Sequence, residues 1–301
     1  MSDVSLVARQ EIRFALRERL AVALLVIFLG MAVVSSAIGW ASHHTVTRVY
    51  DLTVAQTGRA IPNPFAGTSP LEVVKNTIIY VVLIGALLAI VVGARSFIRD
   101  RRSGVTELIL SRPTSLRSYV IGKLIGVQAW LGLVLAAAAA ATWIAVWLVE
   151  SAPLSGGQSL RLLGFFVLAW VFLLPFVAIG LIAGARSGSE STALLAPVLV
   201  WVAFVFVLPQ LGTAQNPTSL LNPVPSAAPT GDLFFKINHA VLQPISFTEH
   251  FKHVAGVLLQ LRDIDPAGAG RDLAFLLVMV AVSVAALALI TRTAVRRPLY
   301  A

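Results

Sequence analysis

The chain has 301 residues, 57% of them hydrophobic and only 12% charged, with a mean hydropathy of +0.86. That composition excludes an ordinary soluble domain and places the chain among polytopic membrane proteins. The absence of cysteine excludes disulfides, thiolate metal centres and thiol nucleophiles, while the formal charge of +9 asks where along the chain its cations fall.

Residues 4–19 put Val4, Val7, Ala8, Ile12, Ala15 and Leu16 on one helical stripe and Arg9, Arg13 and Arg17 elsewhere. This reads either as an amphipathic helix at the membrane surface or as an extension of the first span. No small-residue cleavage site follows the first apolar run, so a removed signal peptide is not expected. Six apolar segments follow, near 20–40, 76–94, 124–149, 162–185, 192–211 and 273–291, each meeting the requirement of about 20 residues for a crossing. Ser69, Pro70 and Glu72 predict the start of the second, as N-cap, first turn and capping-box partner. The fourth and fifth are joined only by residues 186–190 and must form a hairpin. Pro175, Pro197 and Pro209 predict kinks or breaks in these two.

With the N-terminus inside, the segments 1–19, 95–123, 186–190 and 292–301 hold 15 of the 23 Lys and Arg residues, so both termini are expected to be cytoplasmic. Acidic residues divide 6 inside and 8 outside, which puts the whole +9 excess on the inner side and removes the need for a nucleic-acid partner. The last outer connection, 212–272, is too long for a simple link. After a Pro-rich stretch it predicts two short helices, at 231–241 and from Ser246. The second has Glu249 as capping-box partner and carries Phe247, Phe251, Val254, Leu258 and Leu261 on one face, suited to lie on the bilayer or a neighbour.

The segment 95–123 is the most charged, with seven of the Lys and Arg residues, yet it holds a short apolar helix over 105–110 between Gly104 and Pro113. Loop charge alone would set topology. It does not account for Val105, Leu108, Ile109 and Leu110, which would leave an uncovered apolar patch unless another protein docks there. No ionisable residue lies in the interior of a predicted span, which argues against a self-powered, ion-coupled carrier. Gly122-Lys123 lacks the upstream glycine of a phosphate loop, Arg117 standing in its place, so any ATP and magnesium must be bound by a partner. His250 and His253 are one helical turn apart and are weak metal candidates, with Asp263 or Asp265 the carboxylates of a remote membrane-enzyme alternative; a surface helix is the preferred reading of both. Gly122 with Gly126, and Gly180 with Gly184, predict close helix approach, within one subunit or across a dimer seam. Ser35, Gln128, Thr142 and Ser283 are the neutral polar residues expected to face a lumen.

From Arg99-Asp100-Arg101-Arg102-Ser103-Gly104-Val105-Thr106-Glu107-Leu108-Ile109-Leu110 through Ser111-Arg112-Pro113 to Gly122-Lys123-Leu124, the sequence resembles the first cytoplasmic loop of ABC-2 type transporter permeases. Val105-Thr106 departs from the Thr-Leu common there. Within that family it is most similar to the subgroup containing the membrane subunit of nitrous oxide reductase maturation transporters. The resemblance implies an all-α fold, a single transmembrane domain over 1–301. Its parts are an elbow helix within 1–19 (Arg9, Arg13, Arg17), a coupling loop at 95–123 and an outer subdomain at 212–272.

It further implies a multi-pass subunit of the cytoplasmic membrane without a catalytic site or cofactor of its own. Two cytoplasmic ABC ATPase subunits would bind ATP and magnesium, and a second permease copy would complete an exporter. Val105, Leu108 and Ile109 would make apolar contacts with the ATPase, and Glu107, Arg112 and Arg117 polar ones. In the subgroup's alternative, the chain drives an extracytoplasmic accessory protein seated on 212–272 and passes no substrate.

Overall fold

The structure is a computed structural model and describes residues 3–58, 69–102, 116–150, 154–209, 233–262 and 264–294. Among them every regular element is helical, and six helices are long and apolar enough to cross a membrane. A short helix α1 (Asp3–Ala15) precedes α2 (Arg19–Thr57). The break between them is real: Glu18 is extended, at φ −76° and ψ 112°, so α1 is a separate helix and not an extension of the first span.

The next element, α3, is composite. A 3₁₀ turn (Pro70–Val74) leads into Lys75–Tyr80, a π turn (Val81–Gly85) and the α segment Ala86–Arg102. The expected start is present in part. Ser69 accepts from the Leu71 amide at 3.3 Å, but Glu72 leans towards Lys75, at 4.0 Å, instead of closing a capping box. A complete box forms where the sequence reading did not place one, between Ser155 and Gln158 at the head of α5.

The remaining long helices are α4 (Leu116–Glu150), α5 (Gly156–Arg186), α6 (Glu190–Val202, extended by a π turn at Ala203–Val207) and α9 (Ala269–Ala294). The α5–α6 hairpin is as tight as predicted, with Ser189 capping α6 through the Thr192 amide. Pro175 and Pro197 lie inside α5 and α6 without breaking either. Two shorter helices, α7 (Leu233–Leu242) and α8 (Phe247–Leu258), precede α9.

Burial sorts the long helices into two classes. In α3 and α5, 78% and 67% of the apolar window is buried, against 24% in α2 and 17% in both α6 and α9. The central pair is brought together by glycine. A Cβ on Gly93 would sit 2.7 Å from the Val177 carbonyl oxygen, and Cβ atoms on Gly180 and Gly184 would collide with the Ile90 and Ala94 carbonyls. Backbone therefore meets backbone, the close approach that small residues permit between membrane helices. Gly122 and Gly126 receive α1 in the same way, meeting Val7 and Glu11. All four predicted glycines thus act within the subunit, which removes them as a dimer seam.

Candidate functional site at the α3–α4 connection

The end of α3 and the start of α4 are the two stems of the connection at 103–115, which lies outside the described residues together with the predicted contacts Val105, Glu107, Leu108, Ile109 and Arg112. Of the expected partner contacts Arg117 is described, and it is exposed. The stems themselves carry a polar cluster, built around Lys123.

Lys123 is fully buried. Its ammonium reaches Glu11 Oε1 at 2.7 Å, Asp100 Oδ2 at 2.6 Å, the Ser96 carbonyl at 2.9 Å and Ser96 Oγ at 3.0 Å. Four acceptors surround three N–H donors, so the charge is fully coordinated. The Phe97 and Tyr119 rings flank it, with centroids 5.0 and 4.9 Å away, within cation–π range. Arg99 grips Glu11 through both carboxylate oxygens, at 2.9 and 2.8 Å, and lies 4.1 Å over the Phe14 ring. The Tyr119 hydroxyl donates to Asp100 at 2.5 Å. Among the described residues, two acids and two bases from α1, α3 and α4 thus meet in one largely buried cluster.

Local sequence explains the placement. Glu11 lies on the stripe made by Val7, Ala8 and Ala15, which turns into α4 and not towards lipid; Ala8 and Ala15 are buried there. Ser96, Asp100 and Lys123 occupy the last turns of α3 and the first turns of α4, facing that stripe. Arg95 adds a second tie, to Glu18 at 3.0 Å and Glu190 at 3.4 Å, joining the α1–α2 turn and the start of α6 to α3. Sequence reasoning noted Gly122-Lys123 as a motif but missed the lysine as the centre. The available signals were an acid on an otherwise apolar stripe and a lysine at the edge of an apolar run.

At the far end, α8 does not lie on the surface. Phe247, Phe251, Val254 and Leu261 are buried as the apolar face predicted, but against α5 and α9, and Phe172 of α5 stacks on Phe251 with centroids 4.1 Å apart. Glu249 is not a capping residue: Ser246 makes no side-chain cap, and Glu249 pairs with buried Lys252 at 3.0 Å. His250 is buried and His253 half-buried, each held by two polar contacts. Each Nε2–H donates to a carbonyl, of Pro244 at 2.9 Å and of Asp265 at 2.8 Å. Each Nδ1 faces Asp272, His250 at 2.9 Å from Oδ1 and His253 against Oδ2. The carboxylate they meet is therefore Asp272, in the first turn of α9, while Asp265 contributes only its carbonyl. No group of three His, Cys, Asp or Glu residues among the described residues is arranged to hold a metal ion. The cluster fastens α8 to α9. Replacing Asp272 by Ala strands both Nδ1 atoms, one in a buried ring, and is expected to cost about 1–3 kcal/mol, read as faster proteolysis between α7 and α9 with the spans still resistant.

The residues expected to line a lumen are partly committed to packing. Gln128 donates to the Trp170 carbonyl at 2.5 Å while Trp170 Nε1 donates back to the Gln128 carbonyl at 2.8 Å, locking α4 to α5. Ser283 donates to the Val280 carbonyl at 2.7 Å within its own helix, and Ser35 and Thr142 are buried.

These features, six apolar helices, a separate N-terminal helix and a charged crossing between the second and third spans, agree with what a comparison with protein families finds: the model of the ABC-2 family transporter protein matches residues 5–295. No curated protein matches the chain. With all but its extreme ends matched, the chain belongs to the ABC-2 transporter family and is a multi-pass membrane component of an ABC transporter.

Proposed function

We propose that the chain is the permease subunit of an ABC exporter of the cytoplasmic membrane, with both termini cytoplasmic, and that its α3–α4 connection is the element gripped by two ATPase subunits. The observation that carries this reading is the Lys123 cluster. It welds α1 to both stems of the connection, so a force on residues 103–115 is delivered to α1, α3 and α4 as one body. Because α3 is fixed to α5 by glycine contacts, the same force reaches the centre of the subunit. The apolar faces of α2, α6 and α9, exposed at Val33, Leu199 and Val282 among others, suit lipid and a second permease copy.

The test is co-purification from native membranes in mild detergent with ATPase activity followed. A nucleotide-hydrolysing partner in equal amount, released by Leu108→Asp, fits the proposal. Purification of the chain without such a partner, or full coupling in Leu108→Asp, would sink it.

A second reading, motion passed to an outer protein instead of a substrate, draws support from α2. At 39 residues it is about 58 Å long by a rise of 1.5 Å per residue, roughly twice the hydrocarbon thickness. It passes the start of α3 at Gly39, which abuts Val73, and continues for more than four turns beyond. A third protein that co-purifies and is lost when residues 45–57 are replaced by a short linker would favour this reading.

A further inference from the structure

The rotation of α1 leaves one of its faces unused. With Val7, Ala8, Glu11 and Ala15 held against α4 by the Gly122 and Gly126 contacts and by the Lys123 cluster, the helix cannot roll. The opposite face presents Leu6, Arg9, Gln10, Arg13, Phe14 and Arg17, which line a groove of about 490 Å³. All three arginines are exposed, and none has an acidic partner among the described residues. Two neighbouring acids of this segment are already committed, Glu11 to Arg99 and Lys123, and Glu18 to Arg95.

We propose that this groove is a binding site for the headgroup of an anionic phospholipid, from the leaflet on the side of the α3–α4 connection. Its phosphate would sit between Arg9 and Arg13, with Arg17 beside it and the first acyl carbons along Leu6 and Phe14. Guanidinium forks match phosphate oxygens two at a time, which an exposed ammonium does not. The depth is right: α1 leads within three residues into α2, the first span, and Leu6, Leu16 and Leu20 are 53%, 57% and 38% exposed around the arginines, an apolar fringe that belongs at the headgroup boundary. Position i to i+4 spacing sets Arg9 and Arg13 one turn apart on the same face, so one phosphate can be shared. Favourable contact of Arg13 with the negative end of the α1 dipole accounts for one cation near the helix end, but not for Arg9 or for the apolar flanks.

The proposal is independent of what the transporter moves, so its test needs no transport assay. The full chain is purified into nanodiscs of phosphatidylcholine containing a minor fraction of phosphatidylglycerol, and the lipid retained after transfer to detergent is identified by native mass spectrometry. Wild type is expected to retain phosphatidylglycerol preferentially. Each of Arg9→Gln, Arg13→Gln and Arg17→Gln should weaken retention about fivefold, the effect of one cation at an anionic surface. Arg161→Gln, an exposed arginine at the far end, should leave it unchanged. Unfolding in pure phosphatidylcholine should match wild type for all variants, which separates lost lipid from lost fold. Equal retention by the triple variant, equal loss in Arg161→Gln, or displacement of the lipid by millimolar-range inorganic phosphate, marking a site for a soluble anion, would each overturn the assignment.

Discussion

Lys123→Met is expected to lower stability by about 3–5 kcal/mol, the penalty for breaking one partner out of a buried ion cluster. The methionine fills most of the volume, so the loss is electrostatic. Glu11 keeps Arg99, while Asp100, a carboxylate that is 3% exposed, loses the ammonium that lay 2.6 Å from its Oδ2. Thermal or denaturant unfolding in detergent measures the change. Adding Asp100→Asn should restore part of the loss, because it removes the charge that had faced the ammonium, and the double-mutant cycle should return a coupling of about 1 kcal/mol between the two positions. A single variant within 1 kcal/mol of wild type would show that water enters the cluster and that α1 is not fastened as described.

Gly180→Ala should destabilise by about 1–3 kcal/mol, and Gly180→Val by more. Helix propensity argues the other way, since alanine normally gains about 1 kcal/mol over glycine inside a helix. The packing wins because the new Cβ would meet the Ile90 carbonyl and lie 3.0 Å from the Ala94 amide, and neither is the end of a flexible side chain. α3 and α5 must separate along their whole contact. Gly30 of α2 provides the contrast: nothing lies within 4 Å of its Cβ position, so Gly30→Ala should keep or raise stability. Opposite signs at the two sites, read from unfolding in the same detergent, are the expected result; a gain at Gly180 would mean that the α3–α5 contact is looser than the geometry gives.

Much of the fold was legible because membrane crossing is a constraint on single segments. Length and apolarity locate each span without knowledge of its neighbours, and the α5–α6 hairpin follows from a connection too short to allow anything else. The full helix lengths were harder. α2, α3 and α4 run well beyond their apolar windows, because a helix that leaves the bilayer keeps its hydrogen bonds while changing composition. The cluster at the α3–α4 connection was visible only as an oddity, an acid among Val7, Ala8 and Ile12; its partners lie 88 and 112 positions away, and sequence carries no statement of which distant charge neutralises which. The histidines failed for a related reason. Ser246 and Glu249 fit a surface helix cap so well that the reversal between α8 and α9, which brings Asp272 back to both rings, had no local signal to compete with it.

The π turn at Val81–Gly85 has a consequence for how the length of α3 is set. A π turn holds one residue more than the α-helical turn it replaces, so removing any one residue there would let α3 run as continuous helix. Everything after it would then turn by about 100° relative to the part before it. Gly93 would leave the Val177 carbonyl, and Ser96 and Asp100 would leave Lys123, at a single stroke. The surplus residue keeps two separately specified faces in phase: one that anchors α3 at the far end, and one that meets α5 and the lysine.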